Sequence, residues 1–346
     1  MVSRNINQLM AETKKWKTQR EAFIESLSYL DGRRKGKITS IKTPWQKFND
    51  ATTDGIEWHS TTVIGARPAT GKTLIKDLII QGAFRLNLLS DFRVLEFQFE
   101  MLGKNSAIRE YSQHLEKSYK ELCSVGEKLT DEDFEKCKLY AQNKLKFPID
   151  VVEEPCNVIE FKDIIIEYME SHATKVMERN SKTGKDEMVT KYKNTIITLD
   201  HSLLLDNSPF NNEMDMLKAL GKTVTALKRK YPIAFIILSQ LNRDIDKPER
   251  NEDGKYGNFV LESDIYGSDA LLQHADTLIG LNRPGKQKIR YYGVERYIID
   301  SDDILAMHFI KCRNGETGVA FFRTEFHKMN ISEIPTPPKQ ERRMRT

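Results

Sequence analysis

Residues 61–73 read Thr-Thr-Val-Ile-Gly-Ala-Arg-Pro-Ala-Thr-Gly-Lys-Thr, an apolar run that breaks into a turn of small residues and closes on Gly71-Lys72-Thr73. That order predicts a buried strand, a tight loop and the first turn of a helix with Leu74, Ile75, Leu78, Ile79 and Ile80 on its apolar side. The arrangement suits phosphate. Backbone N–H groups at the helix N-terminus face the phosphate oxygens, Lys72 places a cation on the β and γ groups, and the Thr73 hydroxyl is a ligand for Mg²⁺. Ala66, Arg67, Pro68, Ala69, Thr70, Gly71, Lys72 and Thr73 therefore form the expected cradle. One slot departs from the pattern G-x-x-x-x-G-K-[ST], because Ala66 stands first and Gly65 lies one residue earlier. A chance Gly-Lys-Thr is the competing explanation, and the strand before it and the apolar helix after it weigh against that. A nucleoside triphosphate site is expected.

With 346 residues the chain has room for one large α/β domain and an appendage. From residue 61 onward, β-rich runs alternate with amphipathic helical stretches: Arg93–Phe99, Ile149–Val152, Thr195–Leu199, Ala234–Leu238 and Thr277–Leu281. Ile304–Ile310 and Gly318–Phe322 flank Asn314-Gly315, a hairpin signal. The expectation is an α/β fold, a mainly parallel twisted sheet flanked by helices and closed by an antiparallel hairpin. Glu178–Lys191 and Asp246–Gly257 are charged, lack periodicity and read as exposed loops. Pro335–Thr346, with Arg342, Arg343 and Arg345, reads as a disordered tail. Leu9, Trp16, Phe23 and Leu30 recur every seven residues in a basic, amphipathic segment ahead of Gly32-Arg33-Arg34-Lys35-Gly36-Lys37. That helix either folds back on its own domain or docks on a neighbouring subunit. The expected domains are thus 1–31, a linker helix; 32–330, the ATPase core; and 331–346, a basic tail.

A net charge of +4 is compatible with nucleic acid without establishing it. No apolar run approaches the roughly 18–20 residues that span a bilayer, and residues 1–30 are too polar for a signal peptide. Cys123, Cys137, Cys156 and Cys312 are scattered without C-x-x-C spacing, as reduced thiols of a cytoplasmic protein are.

Hydrolysis of a phosphoanhydride needs a metal-orienting carboxylate, a group that activates water and cations for the charge developing on the γ-phosphate. In parallel sheets these sit at the carboxyl ends of strands. Thr195-Ile196-Ile197-Thr198-Leu199-Asp200 ends in an acid suited to the Mg²⁺ water shell, although an Asp there could also cap a turn. Phe97-Gln98-Phe99-Glu100 offers Glu100 as general base, and Ile236-Ile237-Leu238-Ser239-Gln240 offers Gln240 as a γ-phosphate sensor. Three such strand ends behind one phosphate loop are hard to explain as packing. Lys311 and Arg313, in Lys311-Cys312-Arg313-Asn314-Gly315, could solvate phosphates, but from the residues alone ordinary surface charge weighs more.

These stretches together resemble the helicase domain of the DnaB-type replicative helicases, ring ATPases with a RecA-like P-loop NTPase fold. The resemblance runs from about Gly32 to Phe322. It is carried by Ala66–Thr73, Phe97–Met101, Ile196–Asp200, Leu238-Ser239-Gln240-Leu241-Asn242-Arg243, Gln273-His274-Ala275-Asp276 and Lys311–Gly315. It implies ATP and Mg²⁺ as cofactors, Lys72 and Thr73 on phosphate and metal, Glu100 as catalytic base and Asp200 as metal-shell acid. Gln240 would couple the γ-phosphate to a loop facing a central channel. Arg313 would act as a finger in the neighbouring subunit's site with Lys311 beside it, which overrides the surface reading. The implied partners are single-stranded DNA, further copies in a hexameric ring, and a primase or helicase loader. Two features depart from the family. Only a linker-like helix precedes Gly32, where the family carries a helical collar. Tyr266-Gly267 stands where the DNA loop usually has an arginine and an acid, which shifts expected DNA contacts to Tyr266, Gly267, Ser268 and Arg243. The rival class is a RecA-like ATPase that acts as an oligomeric assembly or regulatory protein without unwinding.

Overall fold

The computed structural model describes residues 16–179, 184–250, 259–267 and 272–341. The heptad positions before Trp16, the loop residues 251–257, Ser268 and the arginines at 342, 343 and 345 lie outside that set. Cα packing divides the chain between Ser40 and Ile41 into two units.

In the first unit, helix α1 spans Gln19–Arg34. Thr18 caps it through a capping box with Glu21, so the helix begins after Trp16 and runs through Gly32, further than the glycine suggested. Its basic last turn, Arg33 and Arg34, suits the negative end of the helix dipole. Phe23, Ile24, Leu27 and Leu30 are all exposed.

The second unit is built on one nine-stranded sheet, in the order β13-β12-β11-β8-β1-β7-β6-β2-β3. Strands β8 (Thr277–Asn282), β1 (Ser60–Ala66), β7 (Ile233–Gln240), β6 (Asn194–Asp200), β2 (Phe92–Gln98) and β3 (Ile149–Val152) are parallel. Their near-continuous Val, Ile, Leu and Phe content suits a sheet buried on both faces. The antiparallel ribbon is β11 (Ile304–Cys312), β12 (Gly318–Glu325) and β13 (Asn330–Glu333).

Alternation along the strands gives two cores. On one face Ile64, Val94, Ile196, Ile236 and Leu238 pack against α2 (Gln46–Ala51) and α3 (Lys72–Leu86). On the other Val63, Leu95, Phe97, Ile197 and Ile237 meet α7 (Val158–Ser171) and α8 (Glu213–Lys230). Between β2 and β3 run α4 (Gly103–Leu115), α5 (Tyr119–Cys123) and α6 (Asp131–Lys144). Ile75 and Ile79 of α3 are fully buried, each contributing about 1.5–3 kcal/mol relative to exposure. That burial fixes the first turn of α3, and so Lys72, against the end of β1.

Two expectations from the sequence are corrected. The charged stretch read as a loop is part of a hairpin, β4 (Thr174–Arg179) paired with β5 (Asp186–Lys191). Both its faces meet solvent, so no apolar alternation marks it; Val176 pairs with Val189 and Met177 with Met188 instead. The tail is also held as far as Glu341. Trp45 Nε1 donates to the Ile331 carbonyl at 3.0 Å, Ile298 N donates to the Lys339 carbonyl at 2.8 Å, and Arg296 pairs with Glu341 at 2.5 Å. Among the described residues no helix is long and apolar enough to cross a membrane.

Candidate functional site

Strand β1 ends at Ala66, which is fully buried between β7 and β8 and whose carbonyl accepts from Leu241 N at 3.2 Å. A small side chain suffices there because the residue still belongs to the strand. The chain turns over Arg67–Gly71, with Ala69 at φ 59° and Gly71 at φ 105°, and enters α3 at Lys72. Glycine is required at 71. A Cβ would stand in the left-handed region and 2.7 Å from the Phe326 ring. Arg67 braces the turn, its Nε 2.8 Å from Asp246 and its Nη1 donating to the Leu241 carbonyl at 3.2 Å. Asp246, exposed as its loop was expected to be, is tied to the cradle by that bond.

This turn forms one wall of a cavity of about 320 Å³, lined also by Glu100, Arg109, His201, Gln240, Phe326 and Met329. Glu100, Asp200 and Gln240 come from the carboxyl ends of β2, β6 and β7, where the sequence placed them. Burial lowers the Lys72 ammonium below the ordinary lysine range, while the charges of Asp200 and Glu100 pull it back up. Asp200 is 4% exposed, and its Oδ1 is buried without a hydrogen-bond donor among the described residues. An oxygen stripped of water and left unpaired is costly unless a ligand supplies the partner. With the Thr73 hydroxyl it makes a donor set that fits Mg²⁺, which binds through one or two protein oxygens plus phosphates and water.

Several contributors went unnoticed in the sequence. His201 follows Asp200 into the cavity; burial first, and then the Lys72 charge, push its ring down to about 4, against the pull of Asp200. Phe326, under the Arg283 guanidinium at 4.5 Å, comes from the far end of the chain by way of β12, and no local pattern marks it. Beneath the cradle lies a buried ionic cluster: Lys76 Nζ sits 2.9 Å from Asp77 and 2.7 Å from Glu96, and Gln98 Nε2 donates to Glu96 at 2.8 Å. Charged residues inside an apolar helix and an apolar strand were the available signal for it.

The other candidates lie elsewhere. Strand β11 runs antiparallel to β8, with Cys312 opposite Thr277, the first residue of β8. Lys311 and Arg313 are thus at the amino end of the parallel strands. That is about 13 Å along β8 from the level of Ala66, at roughly 3.3 Å per residue. Lys311 Nζ donates to the Leu272 carbonyl at 2.7 Å. Arg313 Nη1 lies 3.0 Å from Asp276, whose carboxylate also accepts from Thr61 N and Lys228, and the Arg313 side chain remains 56% exposed. Neither cation faces this chain's own cradle. Tyr266 donates its hydroxyl to Glu213 at 2.7 Å and packs on the core, and a Cβ at Gly267 would strike Leu217. Both rest on their own domain, while Arg243 is exposed.

Residues 40–331 match the model of the DnaB-like helicase C-terminal domain. The replicative DNA helicase DnaB of Buchnera aphidicola subsp. Schizaphis graminum is 28% identical over 81% of this chain and 52% of its own length. DnaB of Geobacillus stearothermophilus is 24% identical over 88% and 60%. The chain thus spans about half the length of the curated relatives it matches. Among solved structures, an ATPase domain superposes with a TM-score of 0.72 at 17% identity, covering 92% of this chain and all of that one. A DnaB-like replicative helicase described with its interactions with primase gives 0.69 at 18%, over 96% of this chain and 71% of its own. The phosphate loop, the strand-end acids and these matches agree: the chain belongs to the DnaB-like helicase C-terminal domain family.

Proposed function

We propose that this chain is the motor of a replicative DNA helicase, hydrolysing ATP as a ring of identical subunits and translocating on single-stranded DNA. One observation carries the reading. Lys72, Glu100, Asp200 and Gln240 line or adjoin a single cavity at one end of the sheet, whereas Arg313 stands exposed at the other. A catalytic arginine so placed serves a neighbouring copy in a head-to-tail assembly, and a head-to-tail contact that closes makes a ring. The apolar side of α1 and a cleft of about 910 Å³ lined by Trp45, Leu78, Phe84, Leu88 and Phe147 support association between copies.

Within the site, Lys72 and the loop amides hold the β- and γ-phosphates, and Thr73 and Asp200 would hold Mg²⁺, which supplies charge neutralisation across the phosphates. Glu100 takes the proton of the attacking water. Gln240 reports the γ-phosphate to the segment 261–267, to which it is joined by Tyr266 N donating to its carbonyl at 2.9 Å. Arg243 meets DNA phosphates, and Tyr266 and Gly267 reach DNA only by leaving α8. A primase or a loader is the further partner, and the unpaired cysteines suit the cytoplasm.

The packing of Tyr266 on its own domain favours a second reading, an oligomeric ATPase that assembles or regulates without unwinding. Purified protein is assayed for hydrolysis stimulated by single strands and for displacement of a forked duplex. Both activities are expected. Hydrolysis with neither strand stimulation nor displacement gives the second reading, and absence of hydrolysis rejects both.

A further inference from the structure

His201 stands between the metal-shell acid and the γ-phosphate sensor, and its two ring nitrogens have fixed and different duties. Leu203 N donates to Nδ1 at 3.3 Å, closing the short turn after β6. A nitrogen that accepts carries no proton, so the ring proton is on Nε2. Nε2 lies 3.2 Å from the Gln240 side-chain amide, at its nitrogen. Two N–H groups cannot bond each other. A half-turn of the amide puts Oε1 in that place without moving ring or backbone, and the contact becomes Nε2–H donating to Oε1.

From this geometry we infer that His201 is a positioning residue for Gln240: it anchors the amide oxygen, so that the Gln240 NH₂ faces the terminal phosphate before nucleotide arrives. The inference rests on the ATPase reading and deepens it. A carboxamide free to rotate would present its oxygen to the phosphate part of the time, and two acceptors repel. Anchoring removes that state, so the donor is already in place when charge grows on the γ-phosphate. The backbone on either side of Gln240 is fixed as well. Its carbonyl accepts from Tyr266 N, and the next residue, Leu241, donates to Ala66 and bridges to Ile265. A γ-phosphate bound to the amide therefore pulls on a residue joined directly to both the cradle strand and the 261–267 segment.

The two duties of the ring can be separated by substitution. His201→Asn keeps an acceptor at the Nδ1 position and loses the reach to Gln240. His201→Gln reaches Gln240 with a donor and loses the acceptor for Leu203. In the full chain, His201→Asn is expected to bind a fluorescent ATP analogue within about twofold of wild type. Its kcat should fall about three- to tenfold, the worth of one hydrogen bond. The ratio of single-strand affinities with a non-hydrolysable ATP analogue and with ADP should move towards one. His201→Gln should recover much of both losses, and His201→Asn added to Gln240→Ala should cost nothing further. A purely structural cap gives the reverse order, His201→Asn normal and His201→Gln impaired, and overturns the inference. So does a His201→Gln as defective as His201→Asn. A wild-type chain without nucleotide-dependent strand binding takes down the functional reading and this inference together. A wild type that has it, matched by His201→Asn, takes down the inference alone.

Discussion

Replacing Lys76 by Met tests how far the phosphate cradle depends on the ions beneath it. Lys76 is 1% exposed; burial works against its charge, yet Asp77 and Glu96 hold the ammonium above the ordinary lysine range. Glu96 is kept below the usual carboxylate range despite burial, by Lys76 and by the Gln98 amide. Burial pushes Asp77 up to about 6 and Glu96 adds to the rise, with Lys76 pulling the other way. Methionine retains most of the aliphatic stem and removes the charge, so the loss is electrostatic. Removing one partner of a buried ion pair costs about 3–5 kcal/mol because the other charge is left uncompensated. At about 1.5 °C per kcal/mol for a unit as large as Ile41–Thr346, the melting midpoint should fall on the order of 5–8 °C.

The sign with pH follows from the carboxyls. In wild type, Glu96 contributes stability above its unfolded pKa and loses it as pH falls, whereas Asp77 costs stability above about 6 and ceases to as pH falls towards its unfolded value. Without Lys76 both carboxyls must take up protons on folding. The deficit is therefore greatest at pH 8 and narrows at pH 5.5. Melts of wild type, Lys76→Met and Lys76→Met/Glu96→Gln at both pH values read this directly, and the double variant should regain over half of the loss. A Lys76→Met midpoint within about 1 °C of wild type at pH 8, or a gap that widens on acidification, refutes the reasoning.

Lys72→Ala should lower steady-state hydrolysis by about a hundredfold or more, since it deletes a cation aimed at the reacting phosphate, and Glu100→Gln should bind ATP yet turn it over as poorly. Radiolabelled ATP retention and phosphate release distinguish the two. Arg313→Ala should lose about 10³–10⁵ in rate, as arginine fingers do. Mixed with Lys72→Ala it should regain activity, and mixed rings without any recovery would place Arg313 outside catalysis in trans. Removal of residues 1–31 should give a folded, nucleotide-binding monomer by light scattering; rings of the truncated chain would show that α1 is not needed for assembly.

How much of this was legible beforehand follows from where the constraints lie. Gly71-Lys72-Thr73 behind an apolar run announced strand, loop and helix because each of those states depends on neighbours within a few residues. The placement of Glu100, Asp200 and Gln240 at one end of the sheet was legible because a strand's end can be read locally and a parallel sheet brings such ends together. Glu178–Lys191 misled because a hairpin wet on both faces needs no alternation. Trp45 and Ile331, 286 residues apart, share a hydrogen bond that no local pattern could announce. Tyr266 shows the limit from the other side: as a loop aromatic it suited DNA, and only packing on α8 and a bond to Glu213 revealed its present partner.

By itself the sequence determined the fold class and the strand, loop and helix at the end of β1, since hydrophobic periodicity and turn-forming residues act over short stretches of chain. Tertiary structure alone decided which side chains share a cavity and which face away. It put His201 on Gln240, joined Lys76 to Glu96 across helix and strand, and sent Arg313 to the opposite end of the sheet. The reason is physical. Strand order, crossover and register are set by burial summed over the whole sheet, so distances between residues far apart in sequence exist only once that burial is complete.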